Sequence, residues 1–272
     1  MRFRPQLYGF LALLWLSSLI LVPAVVMAQG GTRQDYSQRF AALATAPSLS
    51  DSAKLHRLFD LDWECSNVAF PEGATAVGYP GQNDRWTDLS IAAIRRRRAD
   101  FSSELQVVRA INRTRLNPSD QLSYDIFKRG VEEFIEGTRF PQDLLGVSQL
   151  GGPQTSPFTI GLMPAQTVKD YTDVIARLRK LPGVVDQTIA LLDSGLKLGV
   201  TPPRITLRDV PGQIKDLIPE DPLKSALLAP FTNFPPGIAE RDRANLRADA
   251  LFAYKQQTRP AFQRLQAYLT NT

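Results

Sequence analysis

The chain contains one histidine, His56, and one cysteine, Cys65. Those two counts rule on several chemistries at once. A zinc hydrolase of the H-E-x-x-H kind needs two histidines one helical turn apart and a glutamate as base, so that motif cannot be built here. A Cys-His or Ser-His nucleophile would have to use His56, and K-L-H-R-L around it is no recognised nucleophile context. Ser148 sits in G-V-S-Q-L, which lacks the second glycine of a nucleophile elbow. Gly146, Gly151, Gly152 and Gly161 mark close turns, but without the Gly-Lys-Ser/Thr of a phosphate loop. Asp60, Asp62 and Glu64 alternate as calcium ligands do, yet no glycine turn accompanies them, and on a helix they point apart. A glycosidase carboxylate pair depends on a spacing that exists only in three dimensions, so it stays open among the 27 acids. Taken alone, these residues declare no active site.

Other charged and reactive positions have plain readings. Arg95 to Arg98 fill one helical turn and point all ways, which makes a solvated turn rather than a flat phosphate-reading patch. Cys65 reads as a small buried side chain of a helix, with no partner for an internal disulfide. Asn112-Arg113-Thr114 is a formal glycosylation sequon inside a predicted helix and is discounted.

The elements that must position these residues are helical. Thr167 to Arg204 has the clearest pattern. Val168, Tyr171, Ile175, Leu178 and Leu181 share one face, and Val185, Ile189, Leu192 and Leu196 repeat it. Pro182 between them reads as the first residue of a second helix, giving an antiparallel hairpin that Gly199, Pro202 and Pro203 terminate. Upstream, Ser50 or Asp51 caps a helix with Leu55, Leu58, Leu61 and Cys65 on one face. A helix runs from Thr87 or Asp88 to Asn117, carrying Ile94, Phe101, Leu105, Val108 and Ile111. Ser119 caps the next, with Leu122, Ile126, Phe134 and Ile135 inward. Residues 69–87 and 138–166 read as long Gly/Pro-rich loops, of the sort that often carries function. After the hairpin, 211–217 and 222–228 read as short helices. Residues 238–269 read as a long helix with a kink or restart at Pro260. The best strand candidate is 204–210, and it is short. The expectation is a mainly α, multi-helix domain of antiparallel helices with little or no sheet.

The chain has 272 residues, a net charge of +5 and 43% hydrophobic residues, enough for one large domain or two small ones. Residues 1–28 read as a signal peptide: Arg2 and Arg4, an apolar run from Leu7 to Val26, and small residues ending at Ala28. The rival reading keeps that run as a membrane anchor. Removal takes two arginines and no acid with it, so the mature charge is modest and nucleic acid is not an expected partner. The expectations are a secreted or periplasmic protein, a single helical domain over 29–272, and no stable membrane span after removal.

Several stretches are similar to one family. They are Trp63; Pro71, Ala74, Thr75, Gly78, Asp84, Arg85, Asp88 and Ser90; QLGGPQTS at 149–156; DYTDVIARLRKLPGVVDQTIALLDSGLKLGVTPPR at 170–204; and RPAFQRLQAYL at 259–269. On these the chain resembles the N-terminal half of the bacterial "domain of unknown function 885" proteins. The resemblance implies a secreted, helical, zinc-metallopeptidase-like hydrolase about twice as long, whose H-E-x-x-G-H-like segment lies in a C-terminal half. No metal ligand, catalytic residue or cofactor carries over to these positions, and zinc is implied only for full-length members. It also implies that this half lines a substrate cleft, at Arg85, Gln149, Gln154, Tyr171 and Arg204. Each has a plainer reading: the arginines as caps or ion-pair partners, Tyr171 as core, the glutamines as partners of loop backbone.

Three functions follow. The first is the N-terminal portion of such a hydrolase, inactive alone, with a separately encoded C-terminal half as partner and a peptide or other small substrate. It draws on Phe262, Leu265 and Leu269, an apolar face running almost to Thr272 without a stop signal. The second is a stand-alone periplasmic binding or interaction protein. The third is an unrelated hydrolase using a carboxylate pair.

Overall fold

The computed structural model describes residues 35–271, so the expected signal segment lies outside the described residues. The elements are α1 (Tyr36–Ala44), α2 (Asp51–Ala69), α3 (Pro71–Ala76), α4 (Ile91–Arg109), α5 (Pro118–Gly137), α6 (Ser156–Gly161), α7 (Val168–Leu198), α8 (Arg204–Leu207), α9 (Val210–Leu217), α10 (Glu240–Ala253) and α11 (Arg259–Asn271). Among the described residues there is no strand, only an isolated bridge between Ser148 and Gly151. The fold is mainly α. Residues 204–210, the strand candidate, are the short helix α8 and the start of α9.

Apolar side chains collect in two cores. In one, Phe40 of α1, Leu55 and Leu58 of α2, Val107 and Val108 of α4 and Tyr124 of α5 pack together. In the other, Leu178 and Leu181 of α7 meet Ile214 of α9, Tyr254 and Phe262. Each buried aliphatic side chain contributes about 1.5–3 kcal/mol.

Residues 168–198 form one 31-residue helix, not a hairpin. Thr167 caps it, with Asp170 closing a capping box, and Gly199 ends it at φ 68°, a left-handed conformation that glycine adopts without strain. Pro182 lies inside. Interior proline costs about 3 kcal/mol, because it has no N–H for the carbonyl four residues back. That carbonyl is Leu178's, and it accepts instead from the Thr258 hydroxyl at 2.7 Å. Thr258 is wholly buried and belongs to a π-helical turn, Tyr254–Thr258, which joins α10 to α11 just ahead of Pro260. The expected kink at Pro260 is this wider turn.

The N-terminal core corrects other boundaries. α4 starts after the Ser90 cap and stops at Arg109. Asn112 ends its reach by accepting from the Thr114 N–H and hydroxyl, a local turn that competes with helix. α5 is capped by Asn117, with Pro118 in its first turn, not by Ser119. Its inward positions are Tyr124 and Val131; Leu122 and Ile126 are exposed, and Phe134 is partly so while it stacks on Phe101. The Tyr124 hydroxyl donates to the Val108 carbonyl and sets that rotation.

Between α1, α2 and α4 lie Asp62, Asp100 and Glu104. Glu104 is 2% exposed with one carboxyl oxygen unpartnered. Burial, then Asp62, pushes its pKa up from the usual 4.5 to about 8. Burial raises Asp62 and Asp100 too. Burial, with Asp100 and Glu104 nearby, pushes the Cys65 thiol up to about 12, so it is protonated and unreactive at neutral pH.

Two predictions follow from this packing. Thr258→Val strands the Leu178 carbonyl and should cost about 1–3 kcal/mol in denaturant unfolding. With Pro182→Ala in place, which restores the helical N–H, that cost should shrink; an unchanged cost would refute the compensation. Second, native Glu104 holds a proton between about 4.5 and about 8 that the unfolded chain releases, so stability falls as pH rises through that window. Glu104→Gln should flatten the fall, read as melting temperature against pH.

Candidate functional site

One face of α7 holds the segment from Pro71 to Ser90 through a run of polar contacts. Arg177 is fully buried. Its Nε donates to the Arg85 carbonyl at 2.9 Å, and its Nη2 reaches the Pro71 carbonyl at 3.1 Å, the Gln82 carbonyl at 3.2 Å and the Thr75 hydroxyl at 2.7 Å. The guanidinium lies 4.9 Å from the Trp86 ring centroid, and the Trp86 N–H donates to the Arg177 carbonyl at 2.9 Å. Three residues on, Lys180 binds Asp84. Two turns further, the Gln187 amide accepts from the Leu89 N–H and donates to Asp88. Burial draws the Arg177 pKa down to about 10, with Glu72, Asp84 and Asp173 opposing. It therefore stays charged at neutral pH, held by carbonyl dipoles and a ring instead of a bonded carboxylate.

α4 holds the same segment from the other side. Arg97 donates to the Asp88 carbonyl at 2.7 Å and lies over Phe70, and Arg98 pairs with Asp143. Two of the four consecutive arginines are thus half-buried ties, while Arg95 and Arg96 are exposed.

The segments so fixed border a half-open cavity of about 390 Å³, within the roughly 300–1,000 Å³ of small-molecule sites. Phe70, Trp86 and Ile94 line it from the α3–α4 side, Leu181, Val184 and Leu192 from α7. Gly152 and Pro153 line a third wall; Gly152 has φ 124°, and a Cβ there would lie 2.6 Å from Gln154 Oε1. The polar wall residues are Glu72, Thr87, Asp143, Thr155, Ser156, Thr159 and Thr188, and the Ser156 hydroxyl is buried without a partner. The Thr188 hydroxyl is satisfied by the Val184 carbonyl, and Glu72 accepts from the Thr87 N–H and hydroxyl.

The five sequence-predicted cleft residues lie elsewhere, and none is part of this cavity's wall. Tyr171 is core, packed against Phe231 and Phe234. Gln154 is buried and donates to the Ser148 and Gly151 carbonyls. The Gln149 N–H donates to the Thr206 carbonyl and its carbonyl accepts from Gln213. These two glutamines stitch the 148–154 turn to α8 and α9. Arg204 opens α8, near them but exposed. Arg85 is exposed and turns its guanidinium to Gln82; its carbonyl, not its side chain, meets Arg177. The residue that the sequence reading passed over is Arg177. Its signal was a basic residue three positions after Val174, inside the apolar stripe.

The described residues do not fit the zinc that the resemblance implies. His56 Nε2 lies 3.1 Å from Asp120 on a mostly exposed side chain, and no group of three or more His, Cys, Asp or Glu is placed to hold a metal. Nor is any described helix long and apolar enough to cross a membrane.

Residues 71–272 match the family model described as "Bacterial protein of unknown function (DUF885)". The chain belongs to that family. No curated protein matches it. The DUF885 match opens at Pro71, the residue whose carbonyl takes Arg177, and it spans every wall of the cavity except Phe70. Helices α1 and α2 precede it.

Arg177→Ala removes the group that satisfies three loop carbonyls and should cost about 3–5 kcal/mol. Lysine cannot reproduce the planar fork, so Arg177→Lys should recover less than half of that loss in thermal unfolding. Full rescue by lysine would make charge alone sufficient.

Proposed function

We propose that this DUF885 chain is the ligand-holding part of an exported, zinc-peptidase-like system and does not hydrolyse substrate by itself. The observation that carries the reading is the cavity along α7: apolar walls, several polar groups, and a backbone fixed by Arg177, Lys180 and Gln187. Such a chamber suits a small molecule or a peptide side chain. Export rests on the sequence of residues 1–28. The zinc chemistry that the resemblance implies would then come from other residues, supplied by a separately encoded C-terminal half. The described residues hold and orient a ligand in this scheme, and no proton or nucleophile is assigned to them.

The stand-alone binding protein is the second reading, and one observation favours it. Phe262 and Leu265, expected to be uncovered if a partner half must dock there, are fully buried against α7 and α9, and Leu269 packs beside them. The domain covers its own last apolar face.

The test is direct. Purified protein, supplied with stoichiometric Zn²⁺ and a fluorogenic peptide library, should show no turnover and should lose the zinc on desalting. Metal-dependent hydrolysis by the isolated chain would overturn the non-catalytic assignment. Co-expression with a downstream-encoded half separates the two readings: gain of zinc-dependent activity supports the first, and an unaltered monomer that unfolds cooperatively supports the second.

A further inference from the structure

We propose that the cavity along α7 takes a small organic cation: a primary amine carried on an aromatic or branched aliphatic body, with its ammonium on Glu72. This deepens the ligand-holding reading above and rests on it.

Charge is the first argument. The wall carries two carboxylates, Glu72 and Asp143, and no lysine, arginine or histidine. Asp143 is already engaged by Arg98. Glu72 takes its hydrogen bonds from neutral donors, the Thr87 N–H at 3.1 and 3.2 Å and the Thr87 hydroxyl at 2.5 Å. Those bonds fix its orientation and leave its negative charge without a bonded cation. Arg177, the nearest buried positive group on α7, is not part of the wall; loop carbonyls and Thr75 take its Nε and Nη2, Trp86 lies against it, and its Nη1 is buried without a partner. An entering anion would meet two carboxylates in the wall, with Arg177 and Arg97 acting on Glu72 only through space and not bonded to it. A neutral ligand would leave Glu72 without a bonded cation. An ammonium forms a charge-assisted hydrogen bond there, about twice as strong as a neutral one.

Size and wall chemistry supply the rest of the ligand. A volume of about 390 Å³ holds on the order of a dozen waters at about 30 Å³ each, far beyond a packing defect. Phe70, Trp86, Ile94, Leu181 and Leu192 offer apolar surface to a body of that size. Water held against such walls makes few bonds, so an apolar group gains by displacing it.

The experiment uses the full chain and three probes of matched shape: phenethylamine, 2-phenylethanol and 3-phenylpropionate, followed by calorimetry or ligand-observed NMR. Phenethylamine should bind about tenfold more tightly than either analogue, as one charged hydrogen bond predicts. Glu72→Gln keeps the acceptor for Thr87 and should abolish that preference while 2-phenylethanol still binds. Val184→Trp projects an indole into the chamber and should weaken binding of all three, with melting temperatures confirming that both variants fold. Equal affinity for amine and alcohol, or an amine preference that survives Glu72→Gln, overturns the cation assignment and leaves the ligand-holding reading standing. Binding of none of the probes, or binding indifferent to Val184→Trp, sinks both.

Discussion

A guanidinium with no exposed surface is the constraint on which the rest of this structure depends. Removing such a charge from water costs several kcal/mol, and nothing offsets that unless the surroundings present oxygen. Arg177 therefore requires carbonyls, and the chain supplies them from one stretch: Pro71, Gln82 and Arg85, with the Thr75 hydroxyl. That requirement shapes the segment. Residues 71–90 cannot be a pliable loop while their carbonyls converge on one point. They form a short helix and a sequence of turns pinned again at Lys180 and Gln187. The cavity lies beside the same pinned segment, with Val184, Thr188 and Leu191 on its α7 wall.

The two cores divide the labour. The N-terminal one, around α2 and α4, holds the buried acid Glu104 in its protonated form; the other, around α7, carries a buried cation without bonded acids. Between them α4 contributes both kinds of contact, with Glu104 facing one core while Arg97 and Arg98 tie down the segments around the cavity. The placement of the site on the first turn of α4 and the middle of α7 gives it rigid supports, as a binding chamber requires.

Much of the fold was legible in the sequence, for reasons that are local. Thr167, Ser50 and Gly199 act as caps because capping is decided within three or four residues. The stripe Tyr171, Ile175, Leu178, Leu181, Val185 is buried as its period demands, although Val168 and Leu196 at the ends are exposed. What failed was decided at a distance. Pro182 reads as a helix start until a threonine far downstream satisfies the carbonyl that it orphans. Leu122 and Ile126 lie four apart and Tyr124 and Val131 seven apart, both helical spacings, and the buried face is the one whose Tyr124 hydroxyl reaches Val108. The two presumed loops contain the short helices α3 and α6, and distant side chains order the backbone beside them: Arg177 at the Pro71 carbonyl and Gln154 at the Ser148 carbonyl. For the site, the Gln154 side chain proved to be a partner of backbone, Gln149 is held through its own main chain, and no pattern within reach of a sequence window brings Glu72 and Leu181 to one wall. Family membership, by contrast, was readable directly from 149–156, 170–204 and 259–269.

The bond between Thr258 and Leu178 spans 80 positions. A ribosome releases α7 well before it releases the hydroxyl that completes it. Until then the middle of the longest helix has a bare carbonyl beside a proline ring, a weak point that local propensity cannot repair. The centre of α7 is therefore complete only once the turn between α10 and α11 has docked, and a local opening of that turn would bare the Leu178 carbonyl again.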